Sequence, residues 1–267
     1  MADTIRWGIL GTANIAAGAT IPGMNEAPNA TPVAVASRSL DRARAYADEN
    51  GLQKAYGSYD ELLADEDIDA IYNPLPVSLH AEWSIRAAEA GKPVLVEKPF
   101  ALNADEAVRM RDAFAERGLQ LMEGIMYRYH PLTRRVKEMV DDGAVGELRM
   151  VHAQFNADPA GADNIRLRKE TGGGALLDVG CYCVSVMRLL TGREPKSVKA
   201  QAVFNENDVD VGFVGTMRFP GGVVGHLGAG LRTQYDCSYG VCGSEGHLLV
   251  DHGALVAWPG EDFSIKY

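Results

Sequence analysis

The chain has 267 residues, of which 46% are hydrophobic and 23% charged, as in ordinary globular proteins. Its 26 basic and 36 acidic residues give a formal net charge of −10. This charge argues against a nucleic-acid or anionic-membrane surface, because both need a basic footprint. At roughly 150 residues per domain, the length predicts about two domains.

The N-terminus and the cysteines indicate the compartment. Asp3 stands where a signal peptide carries its basic region, and no run approaches the ~18 apolar residues that span a bilayer. The four cysteines include no C-x-x-C pair, and no histidine pair lies near them at zinc spacing. We therefore expect a cytoplasmic protein with buried thiols and no metal site.

The first half of the chain alternates short apolar runs with amphipathic stretches. A helix is predicted after the first strand, and three later helices end at the glycines 51, 91 and 118. Such alternation predicts a doubly wound parallel sheet, a Rossmann dinucleotide-binding domain over residues 1–125. The predicted strands are 5–10, 31–37, 68–73, 93–97 and 119–123, and the later helices are 40–50, a short one capped by Ser58, 78–90 and 103–117.

After residue 145 the pattern changes. A strand is predicted at 147–155, a polar irregular segment at 156–171 and one long helix at 172–190. Consecutive strands with short turns form antiparallel sheets, so we expect a second, α+β domain over residues 126–267 with a mostly antiparallel open sheet. Its further strand-like runs are 196–204, 209–219, 222–231, 234–242 and 246–257.

A glycine-containing turn follows the first strand. The phosphate fingerprint G-x-G-x-x-G/A aligns with Gly11, Ala13 and Ala16, although Ala13 replaces the usual second glycine. In this context the backbone N–H groups that open the next helix would face a pyrophosphate. The alternative is a purely structural turn. The predicted cofactor contacts here are Gly11, Thr12, Ala13, Asn14 and Ile15.

The end of the second predicted strand bears on the choice of cofactor. NAD enzymes usually carry an acid at this tip to bind the ribose 2′-OH, whereas this chain has Ser37 followed by Arg38. A guanidinium fork suits a 2′-phosphate, and Arg42 could add a second charge. NADP is therefore predicted in preference to NAD; the alternative is that Arg38 is only a solvated residue at a helix start.

Two further motifs carry candidate chemistry. Glu97 and Lys98 end the fourth predicted strand, where ligands bind in such sheets, and Lys98 could stabilise developing oxyanion charge; the alternative is a surface charge pair. On the long predicted helix, Asp178 and Tyr182 are four residues apart and should share one face, with Gly180 leaving room for a ligand or another backbone. The alternative places Asp178 in solvent and Tyr182 in the core.

Together these motifs resemble the Gfo/Idh/MocA oxidoreductases across essentially the whole chain. The stretches 126–131 and 164–166 are similar to the branch that contains glucose–fructose oxidoreductase, D-xylose dehydrogenase, 1,5-anhydrofructose reductase and dihydrodiol dehydrogenase. The resemblance implies a Rossmann domain, a second domain whose open sheet often forms a dimer interface, and a sugar or polyol substrate. Relatives continue for several dozen residues beyond Tyr267, so the second domain is expected to be short.

The resemblance also implies roles for individual residues. Lys98 would contact nicotinamide and substrate, with its bond to Pro99 in the cis form, Tyr182 would be the acid/base, and Asp178 would orient a hydroxyl or Lys98. The implied cofactor contacts are Pro74, Leu75, His80 and Glu97. The implied substrate contacts are Tyr127, Arg128, Asn164, Arg166 and Asp178.

Three functions were compared on this basis. The first is an NADP-dependent dehydrogenase or reductase of sugars or cyclic polyols, acting as a homodimer. The second is a non-catalytic NADP-binding sensor or partner subunit, motivated by the short second domain. The third, a metal-dependent lyase or hydrolase, is disfavoured because the six histidines show no H-x-x-x-H or H-E-x-x-H pattern.

Overall fold

The chain folds into two units, Met1–Gly124 and Ile125–Tyr267, each built around its own sheet. The computed structural model describes residues 4–158, 161, 164–251, 255–256 and 265–266. None of the four cysteines, all of which lie in these ranges, forms a disulfide.

The first unit contains a six-stranded parallel sheet with five α-helices. The strand order β3-β2-β1-β4-β5-β6 is that of the doubly wound dinucleotide-binding fold, which confirms the predicted fold class. The strands are β1 (Ile5–Leu10), β2 (Ala30–Ala36), β3 (Lys54–Tyr56), β4 (Ala70–Asn73), β5 (Val94–Glu97) and β6 (Leu121–Gly124). The helices are α1 (Ile21–Glu26), α2 (Leu40–Asn50), α3 (Tyr59–Ala64), α4 (His80–Glu89) and α5 (Ala104–Ala115).

Strand alternation sends neighbouring residues of this sheet into two separate cores. Ile9 and Tyr72 are buried in one core, whereas their neighbours Leu10 and Ile71 are buried in the other. Because both faces of the sheet are covered, the central strands consist of nearly continuous apolar residues. Strand β3 was not predicted, since its three residues are too few to show a pattern.

The second unit contains a seven-stranded sheet in the order β13-β12-β11-β7-β10-β9-β8, in which only β7 and β10 pair in parallel. The predicted mostly antiparallel sheet is therefore confirmed. Its elements are α6 (Pro131–Asp141), β7 (Leu148–Ala157), α7 (Cys181–Thr191), β8 (Ser197–Phe204), β9 (Asp210–Arg218), β10 (Val224–Leu231), β11 (Asp236–Gly243), β12 (His247–Val250) and β13 (Ile265–Lys266).

The structure corrects two expectations in this unit. Helix α6 was not predicted, although Pro131 occupies its first turn and the His130 side chain accepts a hydrogen bond from the Leu132 N–H. The predicted helix 172–190 is not continuous. Gly172 adopts a left-handed φ of 77°, a π-helical turn spans Leu176–Gly180, and regular α-helix begins only at Cys181. Part of the predicted strand 246–257 lies outside the described residues.

Helix α7 packs on one face of the second sheet. Within the described part of the chain, Lys169–Thr191 is the stretch that is long and apolar enough to cross a membrane by length and composition alone. Half of its apolar 18-residue window is buried inside the protein, and Val186, Met187 and Leu190 of α7 belong to the core of the unit.

Candidate active site

The turn after β1 has the geometry of a phosphate-binding loop. Gly11 has a φ of 81°, which favours glycine, and its N–H donates to the Ala36 carbonyl at 2.8 Å. A Cβ added to Gly11 would lie 2.9 Å from Leu75 Cδ2, so Leu75 packs directly against this turn. The Tyr46 hydroxyl donates to the Ala13 carbonyl at 2.9 Å. This loop is therefore fixed by contacts from two neighbouring strands and a helix before the chain enters the helix at Asn14.

Two arginines lie beside this loop at the end of β2. Arg42 Nη2 donates to Thr12 Oγ1 at 2.9 Å, which ties α2 to the turn, and Arg38 is exposed. Burial raises the pKa of Tyr59, whereas the positive charges of Arg38 and Arg42 oppose that rise. The Tyr59 hydroxyl would be 3.8 Å from a Cβ on Gly11, so both cations act at the mouth of the loop. Sequence reasoning missed Tyr59.

Ser37 and the residues after β4 have structural roles in addition to their predicted ones. Ser37 is buried, and its N–H donates to the Tyr56 carbonyl at 3.1 Å, so its place is fixed by the adjacent strand. Pro74 and Leu75 follow β4 in a turn held by Asn73, whose Oδ1 accepts from the Leu75 N–H at 3.3 Å. Asn73, which is fully buried, was not predicted.

His80 braces two loops of the first unit. It is 1% exposed, and its ring nitrogens lie 2.9 Å from the Pro99 carbonyl oxygen and 2.8 Å from that of Leu75. A neutral ring donates to only one of them, while an imidazolium donates to both. Burial lowers the pKa of His80 and favours the neutral ring. We therefore revise its predicted direct cofactor contact: both nitrogens face backbone carbonyls, so His80 joins the Leu75 turn to the Pro99 turn.

Glu97 and Lys98 end β5 in a buried arrangement. The Lys98–Pro99 peptide bond is cis, as the resemblance implied. The Tyr72 hydroxyl donates to Glu97 Oε1 at 2.6 Å, and the Lys98 N–H donates to Oε2 at 3.2 Å. Burial raises the pKa of Glu97, while these two donors and the Lys98 charge oppose it. The alternative of a surface charge pair is therefore wrong, because the Glu97 carboxyl points into the protein and meets Tyr72.

In the second unit, Tyr182 belongs to a group of buried aromatic residues. Its ring centroid lies 6.1 Å from that of Tyr127 and 5.4 Å from that of Phe155, and its hydroxyl donates to Met126 Sδ at 3.5 Å. Tyr127 is fully buried, and its hydroxyl donates to Ser185 Oγ at 2.8 Å. Tyr127 and Tyr182, the latter 2% exposed, thus pack in the same core, and their predicted roles toward a substrate stay predictions.

Asp178 forms an ion pair with Arg166. The Arg166 Nε lies 2.9 Å from Asp178 Oδ2, and the Asp178 side chain is 16% exposed against 45% for Arg166. Asn164 caps the short turn Ile165–Leu167, since its Oδ1 accepts from the Arg166 N–H at 3.0 Å. The structure thus brings together three of the predicted substrate residues. Of the other two, Tyr127 is in the core, and Arg128 is exposed in the turn before α6.

The basis for expecting Asp178 and Tyr182 on one helix face changes, while the shared face itself stays a prediction. The four-residue rule holds for a regular α-helix, whereas Asp178 lies in the π-helical turn and Tyr182 in α7. Gly180 is needed for a different neighbour from the one expected, because an added Cβ would lie 2.8 Å from the ring of Phe213. The glycine thus makes room for an aromatic side chain of β9.

A carboxylate from β9 caps this helix. Asp210 Oδ2 accepts from the Leu176 N–H at 2.7 Å, where a helix start leaves backbone donors without intrahelical partners. Gly174 has a φ of 131°, and a Cβ there would lie 2.1 Å from Asp210 Oδ1. Burial raises the pKa of Asp210, while the N–H groups of Leu176 and Ala175 oppose it. No local sequence signal marks Asp210, since the residues it joins are distant in the chain.

No group of three or more His, Cys, Asp or Glu that could hold a metal ion occurs among the residues that the structure describes.

Known protein families match both units. Residues 5–125 match the model of an oxidoreductase family with an NAD-binding Rossmann fold, and residues 133–249 match that of the GFO/IDH/MocA C-terminal domain.

Curated relatives include sugar and diol oxidoreductases. The chain is 40% identical to dTDP-3,4-didehydro-2,6-dideoxy-alpha-D-glucose 3-reductase of Streptomyces violaceoruber, over 92% of this chain and 72% of that protein. It is also 40% identical to D-xylose 1-dehydrogenase (NADP(+)) 2 of Haloferax volcanii, over 91% and 74%. Identity to trans-1,2-dihydrobenzene-1,2-diol dehydrogenase of Xenopus laevis is 32%, over 92% and 74%.

Solved structures share this fold. KijD10, a 3-ketoreductase from Actinomadura kijaniata in complex with NADP and TDP-benzene, superimposes with a TM-score of 0.89 at 34% identity, over 99% of this chain and 84% of that one. Aldose-aldose oxidoreductase from Caulobacter crescentus, complexed with glycerol, gives a TM-score of 0.90 at 26% identity, over 98% and 81%. The chain therefore belongs to the GFO/IDH/MocA family of oxidoreductases, as its motifs implied.

Proposed function

We propose that this protein is an NADP-dependent oxidoreductase that transfers a hydride between nicotinamide and the carbonyl or hydroxyl carbon of a sugar or cyclic polyol. The observation that carries the proposal is the end of β2, where Arg38 and Arg42 act on the mouth of the Gly11 turn and no acidic residue occupies the strand tip. Relatives whose names include NADP or a sugar substrate support this proposal.

The first unit, residues 1–125 in our assignment, is the NADP-binding domain. Its residues fit the cofactor: the left-handed Gly11 opens a helix whose first N–H groups suit a pyrophosphate, and two guanidinium groups suit a 2′-phosphate. Thr12, Ala13, Asn14 and Ile15 would line the phosphates. Ser37 would lie beside the ribose, and Pro74 and Leu75 would line the cleft.

The reacting groups of the chain are proposed to be Lys98 and Tyr182, with Asp178 in support. The nicotinamide, when bound, supplies or accepts the hydride. Tyr182 Oη gives or takes the proton of the substrate oxygen. A free tyrosine titrates near 10, and a positive charge favours its phenolate form. Lys98 is proposed to stabilise negative charge on the reacting substrate oxygen.

The second unit, residues 126–267 in our assignment, is the substrate-binding and dimerisation domain. Asp178, held by Arg166, would accept from a substrate hydroxyl, with Asn164 capping the Arg166 turn. Arg128 is also proposed to contact the substrate. Val203 and Val214, exposed by 66% and 63%, lie on the sheet where a homodimer interface is proposed. A cytoplasmic location stays a prediction.

Binding and turnover measured on one preparation test this function. NADPH and NADH are titrated by fluorescence, and the reduced cofactor is then followed by absorbance across aldoses, ketoses, cyclic diols and dTDP-sugars. We expect tighter binding of NADPH and turnover on one sugar class. Binding without turnover would instead support the non-catalytic sensor.

Variants of the two reacting residues sharpen the test. Tyr182→Phe and Lys98→Met should each lower kcat by roughly a hundredfold or more, the usual contribution of a positioned proton donor. The matched control is Tyr239→Phe, which removes a buried hydroxyl from the same core, one that donates to Thr133 Oγ1 at 3.5 Å, and should keep kcat. A Tyr182→Phe protein with the wild-type kcat would contradict the proton-transfer role.

A further inference from the structure

A row of partly buried hydrogen bonds connects the phosphate-loop helix to the backbone of Lys98. Thr20, at the end of the π-helical turn Ala16–Thr20, donates from Oγ1 to the Tyr72 hydroxyl at 2.9 Å. Tyr72 donates to Glu97 Oε1 at 2.6 Å, and the other carboxylate oxygen accepts from the Lys98 N–H. Three elements of the first unit are thereby joined through a single carboxylate.

Burial of Tyr72 fixes the direction of the hydrogen bonds in this row. Tyr72 is fully buried on β4, and burial together with the Glu97 charge raises its pKa well above the ordinary range, so its hydroxyl remains a proton donor. A tyrosine that cannot ionise and accepts from Thr20 has one proton to give, and that proton points at Glu97. The Glu97 carboxyl is thereby held at both oxygens.

The titratable groups around this carboxyl belong to three elements. They are Tyr72 on β4, Lys98 at the end of β5 and, through Tyr72, Tyr46 on α2. Donation by Tyr72 and the positive charge of Lys98 both favour the ionised carboxyl, whereas burial favours the protonated one. The charge state of Glu97 therefore depends on a balance in which Tyr72 has a direct part.

We propose that Tyr72 is a positioning residue, which holds the Glu97 carboxylate and, through it, the Lys98 peptide in register with the helix after the phosphate loop. The inference rests on the proposed function of Lys98. If Tyr72 only filled the core, phenylalanine would replace it without consequence at Lys98, since the two rings have the same shape.

The experiment compares Tyr72→Phe with a matched control, Tyr56→Phe. Tyr56 lies in the same unit, and its hydroxyl also donates to a carboxylate, Asp65 Oδ2 at 2.5 Å, so both variants lose a tyrosine–carboxylate hydrogen bond. The first readout uses the cofactor-free protein labelled with 15N-lysine, in which the Lys98 amide resonance is assigned by its loss in Lys98→Arg. Its chemical shift is followed through an acid titration.

Loss of the Tyr72 donor disfavours the charged carboxyl. The midpoint of the Lys98 amide titration should therefore rise by about one pH unit in Tyr72→Phe and stay at the wild-type value in Tyr56→Phe. The acid limb of the profile of kcat against pH should move in the same direction. At neutral pH, kcat of Tyr72→Phe should fall by about tenfold, while its KM for NADPH should stay within about twofold of the wild-type value. Glu97→Gln should abolish the amide titration.

The outcomes separate this inference from the proposed function. An unchanged amide midpoint and acid limb in Tyr72→Phe would overturn it, even if Lys98→Met is inactive. Absence of turnover in the wild type would count against the function, while the amide titration still tests the positioning. If Tyr72→Phe fails to fold, Thr20→Val removes only the outer hydrogen bond and should raise the amide midpoint by a smaller amount; no shift there would overturn the inference.

Discussion

The two units hold their candidate site residues in different ways. In the first unit the residues follow the ends of adjacent parallel strands, and backbone hydrogen bonds such as that of the Gly11 N–H with Ala36 fix the loops. In the second unit Asp178 and Tyr182 lie on an irregular helix whose start is capped by Asp210 from β9. The first site is specified mainly by local sequence, and the second depends on contacts between distant segments.

The largest expected effect comes from breaking the local turn. Gly11→Val places a β-branched side chain at a φ of 81° with its Cβ against Leu75, and should abolish measurable NADPH binding. Gly51→Val is the control, because Gly51 has a φ of 69° at the end of α2 and nothing within 4 Å of an added Cβ. Both variants carry similar backbone strain. Retained NADPH binding in Gly11→Val, measured by fluorescence titration, would contradict the cofactor site.

The cap in the second unit gives the next largest effect. Asp210→Ala leaves the Leu176 N–H without its acceptor and should lower the free energy of unfolding by about 1–2 kcal/mol, as other helix-cap deletions do. Because the cap positions the helix of Asp178 and Tyr182, kcat should fall while NADPH binding stays unchanged. Denaturant unfolding and cofactor titration check the two parts. Asp208→Ala, at an exposed neighbouring turn, is the control, and an equal loss in both variants would contradict the capping role.

Removal of one phosphate ligand should have a selective effect. Arg38→Ala should weaken NADPH binding by about tenfold, since one charged hydrogen bond is lost, and leave NADH binding unchanged. Arg44→Ala removes an exposed arginine of the following helix, α2, and controls for net charge. Parallel weakening of both nucleotides by Arg38→Ala would show that Arg38 does not read the 2′-phosphate.

The smallest expected effect concerns pH and His80. Burial lowers its folded-state pKa, so the unfolded chain binds the proton more readily below the ordinary value near 6.5. The stabilisation is present above that pH and is lost as the pH falls through the lowered folded-state pKa. In His80→Gln, the free energy of unfolding should lack this pH-dependent contribution. The free energy of unfolding of the wild type and of the variant is measured from pH 7 downward. If the difference between the two proteins did not shrink in acid, this account would be contradicted.

Prediction from sequence succeeded where a pattern was local. Strand β1 and the helix cap at Gly51 each follow from a few adjacent residues, and the family resemblance was confirmed by the domain matches. The role of Arg38 toward a 2′-phosphate stays a prediction. Helix α6 has a sequence signal that is typical of a helix start, namely Pro131 in its first turn.

Other features could not be read from adjacent residues. A tyrosine looks the same in sequence whether it lines a site or, like Tyr127, donates to Ser185 inside a core. The Asp210 cap and the Tyr72–Glu97 hydrogen bond join residues 34 and 25 positions apart, respectively, so only the folded chain reveals them. Sequence thus predicts which residues form the candidate site, and tertiary contacts show which residues hold them in place.

The central claim is that this chain is an NADP-dependent sugar oxidoreductase. The most direct test is turnover of NADPH by the wild-type protein over a set of sugars, polyols and dTDP-sugars, preceded by titration with NADPH and NADH. We expect tighter binding of NADPH and oxidation or reduction of one sugar class. Failure to bind either nucleotide by a folded protein, or equal preference for NADH, would contradict the account.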